Sequence, residues 1–236
     1  MKWEDRDESG NVEDRRDESP ISGGSNIESI IFLGSIIRPL LGTKLGWILI
    51  GAGILMYLSG FNPLKLLEST PSNAPTTQNQ EADNKHAKFM STVLADTETI
   101  WQEIFKNQYN ENYTPPQLVL YRGSTMSGCG HAQAQTGPFY CPQDAKVYMD
   151  LNFLDELVST HGGGGDFAEA YVLSHEVGHH IQKLQGILDK VQRYNAKANE
   201  QEQNAIQVRV ELQADCYAGL WANHAQIGRA SCRERV

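Results

Sequence analysis

Eight residues, Ser174–Ile181 (SHEVGHHI), constrain this chain more than any other stretch, because they hold His175, Glu176 and His179 in the order H-E-x-x-H. On a helix, residues four apart share a face, so the two imidazoles can grip one ion. Glu176 follows the first histidine directly and is turned by about 100° from it, which leaves its carboxylate beside the open coordination position. A zinc ion lowers the pKa of a water placed there, and a neighbouring carboxylate can take the proton as that water attacks a carbonyl. The pattern is thus a hydrolase signature with a mechanism attached. Its competitor is a pair of surface histidines on an ordinary helix.

The flanks favour a helix. Asp166 with Glu169 three residues later, behind the tetraglycine Gly162–Gly165, signals a helix start. Phe167, Tyr171, Ser174, Val177, Gly178, Ile181 and Leu184 recur at helical spacing and form the expected inward stripe, with His175 and His179 on its edge. Leu184 and Gly186 mark the expected end. Two histidines do not hold zinc firmly, and a catalytic site wants a third protein ligand. The extended pattern H-E-x-x-H-x-x-G-x-x-H is excluded, because Gln182 and Gln185 stand where it needs glycine and histidine. Downstream, Glu211 and Asp215 are four residues apart, and Glu211 lies 32 residues after His179. Glu211 is assigned as the third ligand and Asp215 as the acceptor that fixes a ligand histidine's N–H. The alternative for this pair is two solvated carboxylates on a helix.

The segments YCPQDAKVYMDLNFLDEL, GDFAEAYVLSHEVGHHIQ and VRVELQADCYAGLWA, with the opening NVEDRR, make the chain resemble the neutral zinc metallopeptidase family of bacteria. The likeness covers Met1–Arg16 and roughly Ala87–Gln226. It implies a membrane-anchored, gluzincin-type zinc peptidase: His175, His179 and Glu211 as Zn²⁺ ligands, Glu176 as the base, and a peptide or protein as substrate. It also implies an edge strand that pairs with an extended substrate. The expected architecture is α+β, a mainly helical zincin-like domain with a small sheet behind a single transmembrane helix.

A net charge of −9 without a basic face argues against a nucleic-acid partner. The first eighteen residues mix acidic and basic side chains with no apolar period, so residues 1–44 are expected as a disordered or interfacial tail. Ile27–Leu41 is apolar but broken by Arg38 and Pro39. Leu45–Phe61 carries no charge, and extended to Leu64 it is long enough to span a bilayer, with Trp47, Tyr57 and Phe61 near its ends. Residues 45–64 are therefore expected as the transmembrane helix. Arg38 and Lys44 precede it and Lys65 follows, which keeps the amino terminus cytoplasmic and exports the rest of this inner-membrane protein. Residues 65–84 read as an extended tether.

The catalytic domain is expected over residues 85–226. Phe89, Val93, Thr97, Ile100, Trp101, Ile104 and Phe105 make one helical face, and QLVLY (117–121) and AKVYMDL (145–151) read as strands. Between them lies a long loop with Cys129, His131 and Cys141. In an exported domain a Cys129–Cys141 disulfide is the simplest account, with a metal site of these three residues as the rival. Cys216 is expected as a buried thiol or the partner of a cysteine outside this chain. His180 is read as a supporting or surface group, and His86, His161 and His224 receive no role. Ile227–Val236 (IGRASCRERV) breaks abruptly from the helix before it, and a permissible back-translation resembles a short-read sequencing adapter. Residues 227–236 are accordingly expected to be foreign sequence on a truncated frame. The donor that stabilises the oxyanion is then expected beyond Gln226, with His131 and Tyr148 the weaker candidates within the chain. A non-catalytic envelope interaction protein with the same fold is the rival function, and a soluble zinc hydrolase that buries Leu45–Phe61 in its core is a further one.

Overall fold

A small sheet and the helix that carries the motif, packed against it, organise the fold. The computed structural model describes residues 3–18, 77–133, 137–160 and 165–225. Strand β1 (Val12–Asp14) is followed by helix α1 (Thr77–Ile104) and a π-helical turn at Phe105–Tyr109. Next come β2 (Gln117–Tyr121), β3 (Ser124–Ser127), β4 (Gly130–Gln133), β5 (Phe139–Cys141) and β6 (Lys146–Asp150). Four helices complete the order: α2 (Leu151–Thr160), α3 (Gly165–Leu184), α4 (Ile187–Asn195) and α5 (Glu200–His224). The main sheet runs β1-β2-β6-β5, and β3 and β4 form a separate antiparallel hairpin. β1, β2 and β6 are parallel, while β5 is antiparallel to β6. The result is mainly helical with a small sheet, as the sequence implies.

Each face of the sheet is covered. Leu118, Leu120, Val147 and Met149 are fully buried in the cluster shared with α1 and α3. On the opposite face Val119, Tyr121 and Tyr148 pack with Ala132, Cys141 and Phe139. A disulfide joins Cys129, at the β3–β4 turn, to Cys141 in β5, with Cα atoms 5.7 Å apart. Local signals start the helices. The Asp150 carboxylate accepts the Asn152 N–H at the head of α2, and Asn199 and Glu202 form a reciprocal capping box at the head of α5.

The opening residues depart from the expected tail. Trp3–Glu18 belong with the residues from Glu81 onward to one compact unit. Val12, Glu13 and Asp14 lie in register with Leu118, Val119 and Leu120. Trp3 is only 3 % exposed, stacks against Phe89 at 5.1 Å and donates its indole N–H to Asp166 at 3.1 Å. Burying so large a side chain stabilises by roughly 1.5–3 kcal/mol. The charged residues that suggested a solvated tail are paired: Glu13 with Lys146 at 2.6 Å, and Asp14 with Arg16 at 2.6 Å.

Four further expectations change. Thr77–Asn84 of the expected tether is helical, anchored by Asp83 on Arg122 and by Asn84 on Arg16 at 3.2 Å. The stretch read as a long loop carries β3, β4 and β5. Cys216 is exposed. In α3 the expected inward stripe holds at Ser174, Val177, Gly178 and Ile181, with Ala170 and Leu173 also buried, but Phe167 and Leu184 at its ends are 39 % and 41 % exposed. The transmembrane assignment to residues 45–64 lies outside the described residues, as do residues 227–236. Among the described residues no helix is long and apolar enough to cross a membrane.

Helices α3 and α5 cross with backbone close to backbone. A Cβ built on Gly178 would lie 3.0 Å from the Ala214 carbonyl oxygen and 3.1 Å from its Cα. Backbone cannot step aside as a flexible side chain does. Replacing Gly178 by alanine is expected to cost about 1–3 kcal/mol in chemical denaturation, and an unchanged midpoint would show that this crossing is loose.

Candidate metal centre

The crossing of α3 and α5 brings three of the motif residues to one point. His175 and His179 sit one turn apart on α3, their rings 4.9 Å apart and nearly perpendicular. Glu211 approaches from α5. Its Oε2 lies 3.2 Å from His175 Nε2 and 3.3 Å from His179 Nε2. One donor atom from each of these three residues lies within 4.8 Å of the others, the one such group of His, Cys, Asp and Glu among the described residues.

The far side of each ring meets an acceptor. His175 Nδ1 is 3.0 Å from Asp215 Oδ1, and with the hydrogen on Nδ1 the ring keeps on Nε2 the lone pair that a metal ligand needs. His179 Nδ1 is 2.9 Å from the side-chain oxygen of Gln182, with the same consequence. The Gln182 amide nitrogen donates to the Val210 carbonyl at 2.8 Å and to the Gln213 side chain at 3.0 Å, so that oxygen is the acceptor. In that tautomer two ring nitrogens and a carboxylate oxygen face each other, a donor set that a cation satisfies. A tetrahedron with arms of about 2.05 Å has edges of about 3.3 Å, close to the observed separations. The residues present fit a zinc ion.

Glu176 lines the same cavity of about 360 Å³, between Pro138, Phe139, Tyr140 and Pro142 on one side and Leu188, Val191 and Val210 on the other. Its side chain is 7 % exposed. Burial pushes its pKa up to about 7, against the lowering effects of His179 and of a hydrogen bond from the Tyr140 backbone N–H. Asp215 accepts a second hydrogen bond, from the Tyr171 hydroxyl at 3.1 Å. Gln207 donates to the other oxygen of Glu211. The remaining sequence candidates lie elsewhere: Cys129 and Cys141 are joined in the disulfide, and His131 and Tyr148 belong to β4 and β6.

Several contributors escaped the motif. Gln182 entered only as evidence against a longer pattern, although its position three residues after His179 was a signal that it could reach that ring. Tyr171 was counted as core, and Tyr140 drew no attention. In the main sheet β6 is interior, and the edge beside the cavity is β5.

The chain is 42 % identical over 228 residues to the uncharacterized protein YpfJ of Escherichia coli (strain K12), a match that covers 96 % of this chain and 76 % of that one. It is 47 % identical over 114 residues to the uncharacterized protein Rv2575 of Mycobacterium tuberculosis (strain ATCC 25618 / H37Rv), which covers 48 % of this chain and 37 % of that one. No solved structure matches it. A family model described as "Putative neutral zinc metallopeptidase" matches residues 1–234, and the chain belongs to that family.

Proposed function

We propose that the protein is a zinc metallopeptidase in which His175, His179 and Glu211 hold the ion and Glu176 is the general base. The observation that carries this reading is the convergence of two Nε2 lone pairs on the Glu211 carboxylate, each ring held from behind by an acceptor. Zinc, when bound, supplies Lewis acidity to a scissile carbonyl and lowers the pKa of the attacking water. The side chains do the rest. Asp215 and Gln182 hold the rings in the tautomer that leaves Nε2 free. Glu176, buried and with its affinity for protons raised, takes the proton of the attacking water and returns it to the leaving amine.

Zinc analysis with activity on a quenched fluorescent peptide mixture tests the proposal. The wild type is expected to bind zinc and cleave, and Glu176→Gln to keep its zinc while losing about 100-fold or more in kcat. His179→Ala and Glu211→Ala are expected to lose zinc. Wild-type turnover in Glu176→Gln would remove the base from the mechanism. A protein that keeps zinc and a partner but never cleaves would be the envelope interaction protein instead.

Membrane attachment through residues 45–64 is our proposal for location, resting on the sequence. A single span with the amino terminus cytoplasmic and the catalytic domain exported, as expected from the flanking charges, would put β1 and β2 on opposite sides of the bilayer, which their shared sheet excludes. β1 adds a constraint. Because Val12–Asp14 and Leu118–Leu120 share a sheet, residues 18 and 77 must lie on the same face of any bilayer that the intervening chain meets. We therefore place the opening segment beside the catalytic domain and not across the membrane from it. Cysteines introduced at the exposed positions Glu8 and Glu200, in a Cys216→Ser, Cys232→Ser background, are expected to react alike with a membrane-impermeant maleimide on intact cells. Labelling of one and protection of the other would contradict the shared sheet.

A further inference from the structure

His180 stands outside the three metal-facing donors, yet it is among the most buried polar side chains, 2 % exposed. Its Nε2 is 2.7 Å from the Thr114 carbonyl oxygen, and a carbonyl only accepts, so Nε2 carries the hydrogen. Nδ1, 3.0 Å from the Tyr140 hydroxyl, is then the acceptor and the phenol the donor. The rings of Tyr113 and Tyr140 flank the imidazole edge-on, at 6.0 and 5.4 Å.

Tyr140 faces two ways. Its hydroxyl ends on His180, while its backbone N–H reaches Glu176. β5 is only three residues long and is hydrogen-bonded on one side, to β6. Successive N–H groups of a strand point to opposite sides, so with that of Tyr140 turned to Glu176, those of Phe139 and Cys141 face β6. The disulfide at Cys141 and the ladder to β6 hold β5 from one side, and the Tyr140 side chain ties it to α3.

We propose that His180 is a positioning residue for the general base: by holding the Tyr140 phenol, it keeps the Tyr140 N–H on the Glu176 carboxylate. That hydrogen bond stops the buried carboxylate from rotating and leaves an oxygen directed into the cavity. The catalytic part of this inference rests on the peptidase reading. The linkage itself does not.

The full chain, loaded with zinc, is compared with His180→Phe, His180→Asn and Tyr140→Phe. Amide hydrogen exchange at Phe139, Tyr140 and Cys141 is read alongside zinc content, kcat and KM. His180→Phe and Tyr140→Phe are expected to speed exchange at Tyr140 selectively and to lower kcat about 10- to 100-fold with zinc retained and KM little moved. His180→Asn, whose side-chain oxygen can still accept the phenol, is expected to restore most of the rate. Uniform loosening of all three amides, unchanged exchange at Tyr140, or a kcat unaffected by either substitution would overturn the proposal. If the wild type and Glu176→Gln are equally inert, the peptidase reading fails on its own. The exchange pattern then decides the linkage, and its absence overturns it.

Discussion

The site depends on how closely two helices cross. Gly178 has no side chain where α3 passes the Ala214 backbone of α5, and Ala214 and Ala218 keep that side of α5 shallow and fully buried. One turn along α3, Gln182 reaches over the crossing to the Val210 carbonyl and the Gln213 side chain. With the helices held at this separation, an acidic side chain from α5 can meet imidazoles from α3. A larger residue at 178 would move Glu211 away before it disturbed either histidine. The glycine inside H-E-V-G-H is thus a spacer for the third donor.

Gln182 connects packing to chemistry. The same amide group joins α5 through its nitrogen and orients His179 through its oxygen. Asp215 does the corresponding work for His175, with the Tyr171 hydroxyl steadying it. Both rings are therefore oriented by groups that belong to the helix crossing, and the lone pairs they expose are set before any ion arrives. Preorganisation of this kind separates a built centre from a chance cluster of surface histidines.

Much of the centre was legible because its spacing is local. Residues four apart on one helix must share a face, whatever the rest of the fold does, and that reasoning brings together His175 with His179 and Glu211 with Asp215. The meeting of the two pairs was legible only through resemblance, since no period in the sequence says which helix crosses which. The strands at 117–121 and 146–150 were legible from alternation. β1 was not: a three-residue strand of Val, Glu and Asp has no apolar period, and its stability comes from parallel pairing with β2 and from the Glu13–Lys146 ion pair. Trp3 reads as an isolated aromatic in a charged segment until Phe89 and Asp166 are placed around it. The ends of the α3 stripe were misread for a related reason. Phe167 and Leu184 are apolar but lie at the ends, where the neighbouring elements leave them exposed, while His180 and Gln182 are polar and buried because each finds partners in other elements.

The central claim is that two imidazoles and one carboxylate share an ion. X-ray absorption at the zinc edge of the loaded full chain tests it most directly, because it reports the donor atoms themselves. The account predicts nitrogen and oxygen scatterers at about 2.0–2.2 Å with the multiple-scattering signature of two imidazoles. A sulfur shell at about 2.3 Å, or a spectrum with no imidazole contribution, would contradict it.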